Sequence, residues 1–231
     1  KRQLELATQG ISHDFEGDLF DKLIERLPFK PTNAQTKAIA EIFKDLRASY
    51  PMHRLLQGDV GSGKTLVAIA ALLSVVEGGK QGSIMAPTEV LAEQHFVSAI
   101  ELLGNFVLSD SSNLLGERKL NISLLTSQTS DKDAKEIRAK LSRGEIDIIV
   151  GTHSLIQESV EFADIGLAVV DEQHRFGVDQ RAALQNKGNS RAIPDLLVMT
   201  ATPIPRTAAM TVYGDLDVSI LNELPEGRIP I

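Results

Sequence analysis

The chain has 231 residues, 42% of them hydrophobic, enough to fill the core of one large domain with extensions. A net charge of −7 excludes wholesale adhesion to nucleic acid through a uniformly basic surface, and zero Cys excludes disulfides and thiolate metal sites. No apolar run reaches the length of a membrane span, no signal segment opens the chain, and the five His, at 13, 53, 95, 153 and 174, lack metal-ligand spacing. A cytoplasmic protein without membrane partners is the expectation. A first residue Lys1 without Met suggests part of a longer protein.

In chain order, residues 1 to 27 read as a leader: a polar start, a turn-like ISHDFEGD, then a short amphipathic helix with apolar residues at 19, 20, 23, 24 and 27. Pro28 ends it. Thr32 followed by Gln35 is a capping-box spacing for a helix over 33 to 48. The run Leu55-Leu56 enters a Gly-rich loop, and LVAIAALLSVV after it is helical. SIMAP (83–87), NISLLTS (121–127), IDIIVGT (146–152), LAVVDEQ and DLLVMTA are short, β-branched and apolar on both faces. They alternate with helical runs EVLAEQHFVSAIELL and KDAKEIRAKLSRG, the latter stopped by Gly144. That pattern predicts a doubly wound α/β fold, a mainly parallel sheet with helices on both faces. Its ligands belong at the carboxyl ends of the strands. Residues 104 to 119 read as a surface loop with a short strand. The lobe is expected over 28 to 215, and 216 to 231, with one strand-like run, as an exit tail.

The chemistry centres on GDVGSGKT. Gly58, Asp59, Val60, Gly61, Ser62, Gly63, Lys64 and Thr65 have the spacing of a phosphate-binding loop. The glycines let backbone N–H groups approach phosphate oxygens, the helix N-terminus adds its dipole, Lys64 supplies a full charge, and Thr65 offers a hydroxyl to Mg2+. Such a loop needs an acidic partner. In LAVVDEQH four apolar residues place Asp171 and Glu172 at a strand end, Asp171 to hold the magnesium and Glu172 to align or deprotonate the attacking water. Two acids there also suit a helix N-terminus. The two motifs need each other chemically, which favours the nucleotide reading.

The ordered set GDVGSGKT, DEQH and TATP (200–203) resembles the superfamily two helicases and translocases. PTEVLAEQH (87–95), GTHSLIQ (151–157), DEQHRFGVDQR (171–181) and MTATPIPRT (199–207) are similar to the first, RecA-like motor lobe of its bacterial DNA-repair helicases, over residues 28 to 225. The resemblance implies ATP and Mg2+ as ligands and a DNA partner, branched or forked, gripped through its backbone. It also implies a nucleoid-associated setting. On matching positions it implies that Phe29 stacks on adenine and that Gln35 reads the base edge, a role that competes with the capping box. It assigns DNA contacts to Thr88, Gln94 and His95, to Thr126 and Ser127, and to Gly151, Thr152 and His153. His174, Thr200, Ala201 and Thr202 would link nucleotide state to lobe movement. Thr88 also reads as an N-cap, and His174 as a loop-capping histidine. LLTS departs from the family's usual LTGS, with Ser127 in place of Gly.

The resemblance further implies a second motor lobe carrying an arginine finger and an upstream DNA-wedge domain. The equivalent lobe of a transcription-repair coupling factor is the nearest alternative, but its acidic box usually reads DEEH, and Gln173 favours the repair helicases. A kinase or GTPase on the same loop lacks support: no guanine-reading Asn-Lys-x-Asp segment occurs, since Asn186-Lys187 is followed by Gly-Asn. A nucleotide-dependent binding module without turnover of its own is the third reading.

Overall fold

A computed structural model describes residues 10–15, 17–109, 116–157, 159–171, 193–202 and 216–225. The helices are α1 (Leu19–Arg26), α2 (Asn33–Leu46), α3 (Lys64–Glu77), α4 (Glu89–Leu103) and α5 (Asp131–Ser142). The strands are β1 (His53–Gly58), β2 (Gln81–Met85), β3 (Val107–Ser109), β4 (Glu117–Lys119), β5 (Ile122–Leu125), β6 (Ile148–Gly151), β7 (Ile165–Asp171), β8 (Asp195–Thr200) and β9 (Asp217–Leu221). Seven strands form one sheet in the order β5-β6-β2-β7-β8-β1-β9, and every pairing in it is parallel. β3 and β4 form a separate antiparallel pair in the stretch expected to be a loop with a short strand.

Because side chains alternate across a strand, runs apolar at every position must be covered twice. Leu56, Ile84, Ile148, Val150, Leu167, Val169, Leu197 and Met199 pack in one core cluster with the apolar residues of α1 to α4. Their neighbours Leu55, Met85, Ile149, Ala168, Val170, Leu196 and Val198 pack in the other with Ala134 and Leu141 of α5. The expected doubly wound architecture is therefore what the structure shows. α3 is the central helix: all eleven residues from Leu66 to Val76 are buried. Its sequence carries almost no polar face, consistent with a helix enclosed by other elements.

Two segments sit closer to the lobe than their sequence suggests. The stretch ISHDF forms no turn, and Ile11, His13 and Phe15 are buried with the residues between them exposed. Gly10 and His13 donate backbone N–H groups to Ser49 and Leu46 carbonyls, so alternation, not turn chemistry, decides this segment. At the other end, the strand-like run of the tail is β9, paired with β1. It is locked there by Arg54, which reaches Asp45 on α2 at 2.7 Å and Ser219 on β9 at 2.8 Å. The strand lies within the lobe's own sheet.

His13 also makes a buried polar contact at the amino edge of the sheet. Its Nε2 lies 2.9 Å from Asp195 Oδ2, with both side chains fully buried, and Met52 N–H donates to Asp195 Oδ1. Burial, partly offset by His13 and by the Met52 N–H, pushes the Asp195 carboxyl up to about 6. The folded state thus holds this proton more tightly than the unfolded chain, so the associated stability is full below about 3.8 and lost as pH rises through about 6. A shift of this size corresponds to about 3 kcal/mol. Asp195→Asn stays neutral, keeps an acceptor for Met52 and faces His13 with an N–H. Its stability relative to the parent, from denaturant melts, is expected to improve by up to about 3 kcal/mol between pH 4 and pH 7.5. A pH-independent difference would contradict the assignment.

Candidate active site

All seven strands of the sheet point the same way, so their carboxyl ends form one edge, and the motif residues within the described segments lie along it or beside it. The chain leaves β1 at Gly58 and turns back within four residues, with Ser62 N–H donating to Asp59 O at 3.1 Å. Lys64 Nζ donates to the carbonyls of Gly58 at 2.7 Å and Asp59 at 3.0 Å. The ammonium is thus held within the arc of the loop, at the N-terminus of α3, where unpaired N–H groups and the helix dipole favour an anion. Val60 stands exposed at the tip. Thr65, the second residue of α3, is half-buried.

Gln35 explains one constraint on this loop. It completes the capping box of α2: its Oε1 accepts from Thr32 N–H at 2.9 Å, and its own N–H donates to Thr32 Oγ1 at 3.1 Å. Its Nε2 donates to Ser62 O at 2.7 Å, and the whole residue is buried. Gly63, at φ 85°, passes directly over this amide, and a Cβ there would collide with Gln35 Nε2. The capping reading and a link to the phosphate loop therefore hold together. Phe29, six residues earlier, is exposed at 42%, which leaves its ring face accessible.

Asp171 ends β7, separated from β1 by the single strand β8. Its Oδ2 accepts from His95 Nε2–H at 2.6 Å, and the two side chains are only 11% and 10% exposed. Thr200 ends β8 between the loop and Asp171. It is buried, and its Oγ1 accepts from Thr202 N–H at 3.2 Å. Ala201 is half-buried and Thr202 exposed. Glu172 and His174 lie outside the described residues, as do Arg175, Arg181 and Arg206. Among the described residues no group of three or more His, Cys, Asp or Glu could enclose a metal ion. The donors at this edge are a hydroxyl, Thr65, and a carboxylate, Asp171. Hard oxygen donors in small number fit Mg2+, which keeps several waters and takes phosphate oxygens for the rest of its shell.

The segments assigned to DNA line the β2, β6 and β5 half of the edge. Thr88 caps α4, accepting from Leu91 N–H at 3.3 Å, and remains exposed. Gln94 is exposed as well. His95 is not: with Ala92, Ala99 and Leu103 it forms the buried stripe of α4 and faces Asp171. Thr126 is buried, its hydroxyl accepting from Gln128 N–H at 3.3 Å. Ser127 Oγ–H and Gln128 Nε2–H both donate to the Glu89 carboxylate. The Ser127 and then the Gln128 hydrogen bond hold that carboxyl below its usual range. Ser in place of the usual Gly thus ties the β5–α5 loop to the first turn of α4. At Gly151 a Cβ would collide with Leu125 O and approach Leu155 Cγ to 2.9 Å, so sheet packing alone explains the glycine. Thr152 is half-buried and His153 exposed.

Sequence reasoning missed the Gln35–Ser62 link and the inward direction of His95. The second was legible in principle. Positions 92, 95, 99 and 103 follow the i, i+3, i+7 spacing of a helix's inner face, and a polar residue on that stripe requires a buried partner.

A parallel α/β sheet with a phosphate loop after one strand and a carboxylate ending the next but one defines a P-loop nucleotide-binding lobe. The model of the DEAD/DEAH box helicase family matches residues 32–211, and the chain belongs to that family. It is 50% identical over 221 residues to the ATP-dependent DNA helicase RecG of Bacillus subtilis, covering 96% of this chain and 30% of that protein. RecG of Synechocystis is 51% identical over 233 residues, covering 100% of this chain and 26% of the relative. A solved structure of RecG bound to a three-way DNA junction superposes with a TM-score of 0.83 at 43% identity, covering 100% of this chain and 29% of that one. The chain therefore spans less than a third of these relatives, and the resemblance read from its motifs is borne out over that span. Among the described residues no helix is long and apolar enough to cross a membrane.

Proposed function

We propose that this lobe binds ATP with Mg2+ and, in the full-length protein, couples its hydrolysis to movement on branched DNA such as a stalled replication fork. The observation that carries the reading is the shared edge: the Lys64 loop, Asp171 and the Thr88, Ser127 and Thr152 segments all lie at the carboxyl ends of one parallel sheet. Identity to proteins named ATP-dependent DNA helicase RecG supports it. In this reading the loop N–H groups and Lys64 bind the phosphates, and Thr65 and Asp171 hold the magnesium ion. When bound, that ion would supply charge neutralisation for the nucleotide phosphates. Glu172 aligns the attacking water and takes its proton, and the Thr200–Thr202 segment and His174 carry the change in nucleotide state to the next lobe. Phe29 stacks on adenine, and Gln35, buried with its amide on Thr32 N–H and Ser62 O, reads the base edge only once the segment around it opens toward the nucleotide.

Contacts to DNA are made through hydroxyls and backbone N–H groups, which explains how a chain of net charge −7 can serve a nucleic-acid motor. The test is ATP hydrolysis by the full-length protein with no DNA, linear duplex and a three-way junction. Strong stimulation by the junction is expected. Hydrolysis indifferent to any DNA would refute the motor reading and leave a nucleotide-dependent binding module.

A further inference from the structure

The family resemblance places His95 among DNA contacts, yet the structure turns it away from the exposed face of α4. Its Nε2–H donates to Asp171 Oδ2 at 2.6 Å, and the pair is about nine-tenths shielded from solvent on both sides. We infer that His95 is a positioning residue for the nucleotide site, holding the Asp171 carboxylate in one rotamer and linking that rotamer to the seat of α4.

Three observations carry this. First, a carboxylate at a strand end can turn about χ1 and χ2. A short bond to one oxygen removes that freedom and leaves the other oxygen for the ligand, as outer-shell partners do for metal-binding groups. Second, His95 has little freedom of its own. It sits on the buried stripe between Ala92 and Ala99, both fully buried, so its ring direction follows from where α4 lies against the sheet. Third, the first turn of α4 is tied to the loop after the outermost strand of this half of the edge, β5. Glu89 accepts from Ser127 Oγ–H and Gln128 Nε2–H of the β5–α5 loop. A shift of the β5–α5 loop or of Thr88 therefore displaces α4, and with it the ring that aims Asp171. One helix, read at its first turn and at its seventh residue, joins the segments assigned to DNA to the carboxylate assigned to magnesium.

This inference rests on the proposed nucleotide site, and the test separates the two. In the full-length protein, the affinity for a fluorescent ATP analogue is measured with and without Mg2+ for the parent, His95→Ala and His95→Gln. The parent is expected to bind more tightly with Mg2+; no such gain would overturn the site reading itself. His95→Ala is expected to lose most of that gain, about tenfold or more in magnesium affinity, with metal-free binding unchanged. His95→Gln can still present an N–H to Asp171 and is expected to retain most of it. A parent-like magnesium gain in His95→Ala overturns the inference, the more so if DNA affinity without nucleotide falls instead. Should the Ala variant fail to fold, His95→Asn, too short to reach Asp171, takes its place. It is expected to show the loss, and an undiminished magnesium gain there overturns the inference equally.

Discussion

Lys64→Ala in the full-length protein is expected to lower ATP hydrolysis by about a hundred- to a thousand-fold and to abolish ATP-driven DNA unwinding. In the parent structure the Lys64 side chain folds back over its own loop. Its ammonium bridges the carbonyls of Gly58 and Asp59, so it sits inside the loop and needs only a small movement to meet a phosphate. A preorganised donor aimed at developing charge, once closure of a second lobe excludes water, is worth a few kcal/mol in the transition state. Loss of the ammonium also weakens ground-state binding of the phosphates, so both KM and kcat should change. The fold should survive. The carbonyls left behind belong to a loop with exposed residues at Asp59 and Val60, where water can replace the lost donor. Thermal melts matching the parent, together with near-complete loss of DNA-stimulated phosphate release, are the expected pair of results. Retained unwinding by the Ala variant would refute the motor reading.

How much of this was legible beforehand differs by level. The sheet and its strand-helix alternation follow from periodicity, because the central strands are apolar on both faces and α2 to α5 each start or stop at a capping side chain or a glycine. The Thr32–Gln35 box and the Gly144 stop are local signals, and α2 and α5 obey them. The turn of the Gly58–Lys64 loop and the place of Asp171 at a strand end were equally readable, since each rests on a local pattern. What the sequence withheld is long-range pairing. Nothing near Gln35 announces Ser62 O, twenty-seven residues on, and nothing near His13 announces Asp195, 182 residues on. The turn-like ISHDFEGD misled because Asp and Gly weigh as turn formers until a buried partner for His13 is known. His95 misled because a family motif was read as a flat string, whereas on a helix only every third or fourth residue shares a face.

The second large effect concerns division of labour between lobes. The isolated chain is expected to bind ATP yet hydrolyse it at least about a thousandfold more slowly than the full-length protein on DNA. Phosphoryl transfer in P-loop enzymes gains about 10³–10⁵ in kcat from an arginine that reaches the γ-phosphate. In the family resemblance that arginine comes from a second lobe, and this chain spans 30% or less of the two RecG relatives compared above. In the proposed reading this edge would supply a phosphate cradle and a carboxylate for magnesium, which are binding functions, while closure of a second lobe would exclude water and complete the charge stabilisation. Two measurements on the chain alone check this: nucleotide affinity, expected to be measurable and magnesium-dependent, and turnover with and without a three-way junction, expected to be slow in both. Binding without turnover, restored when the rest of the protein is present, supports a site shared between lobes. Vigorous DNA-stimulated turnover by the chain alone would sink that division, and would require Arg175, Arg181 or Arg206 to act as the finger from within this lobe.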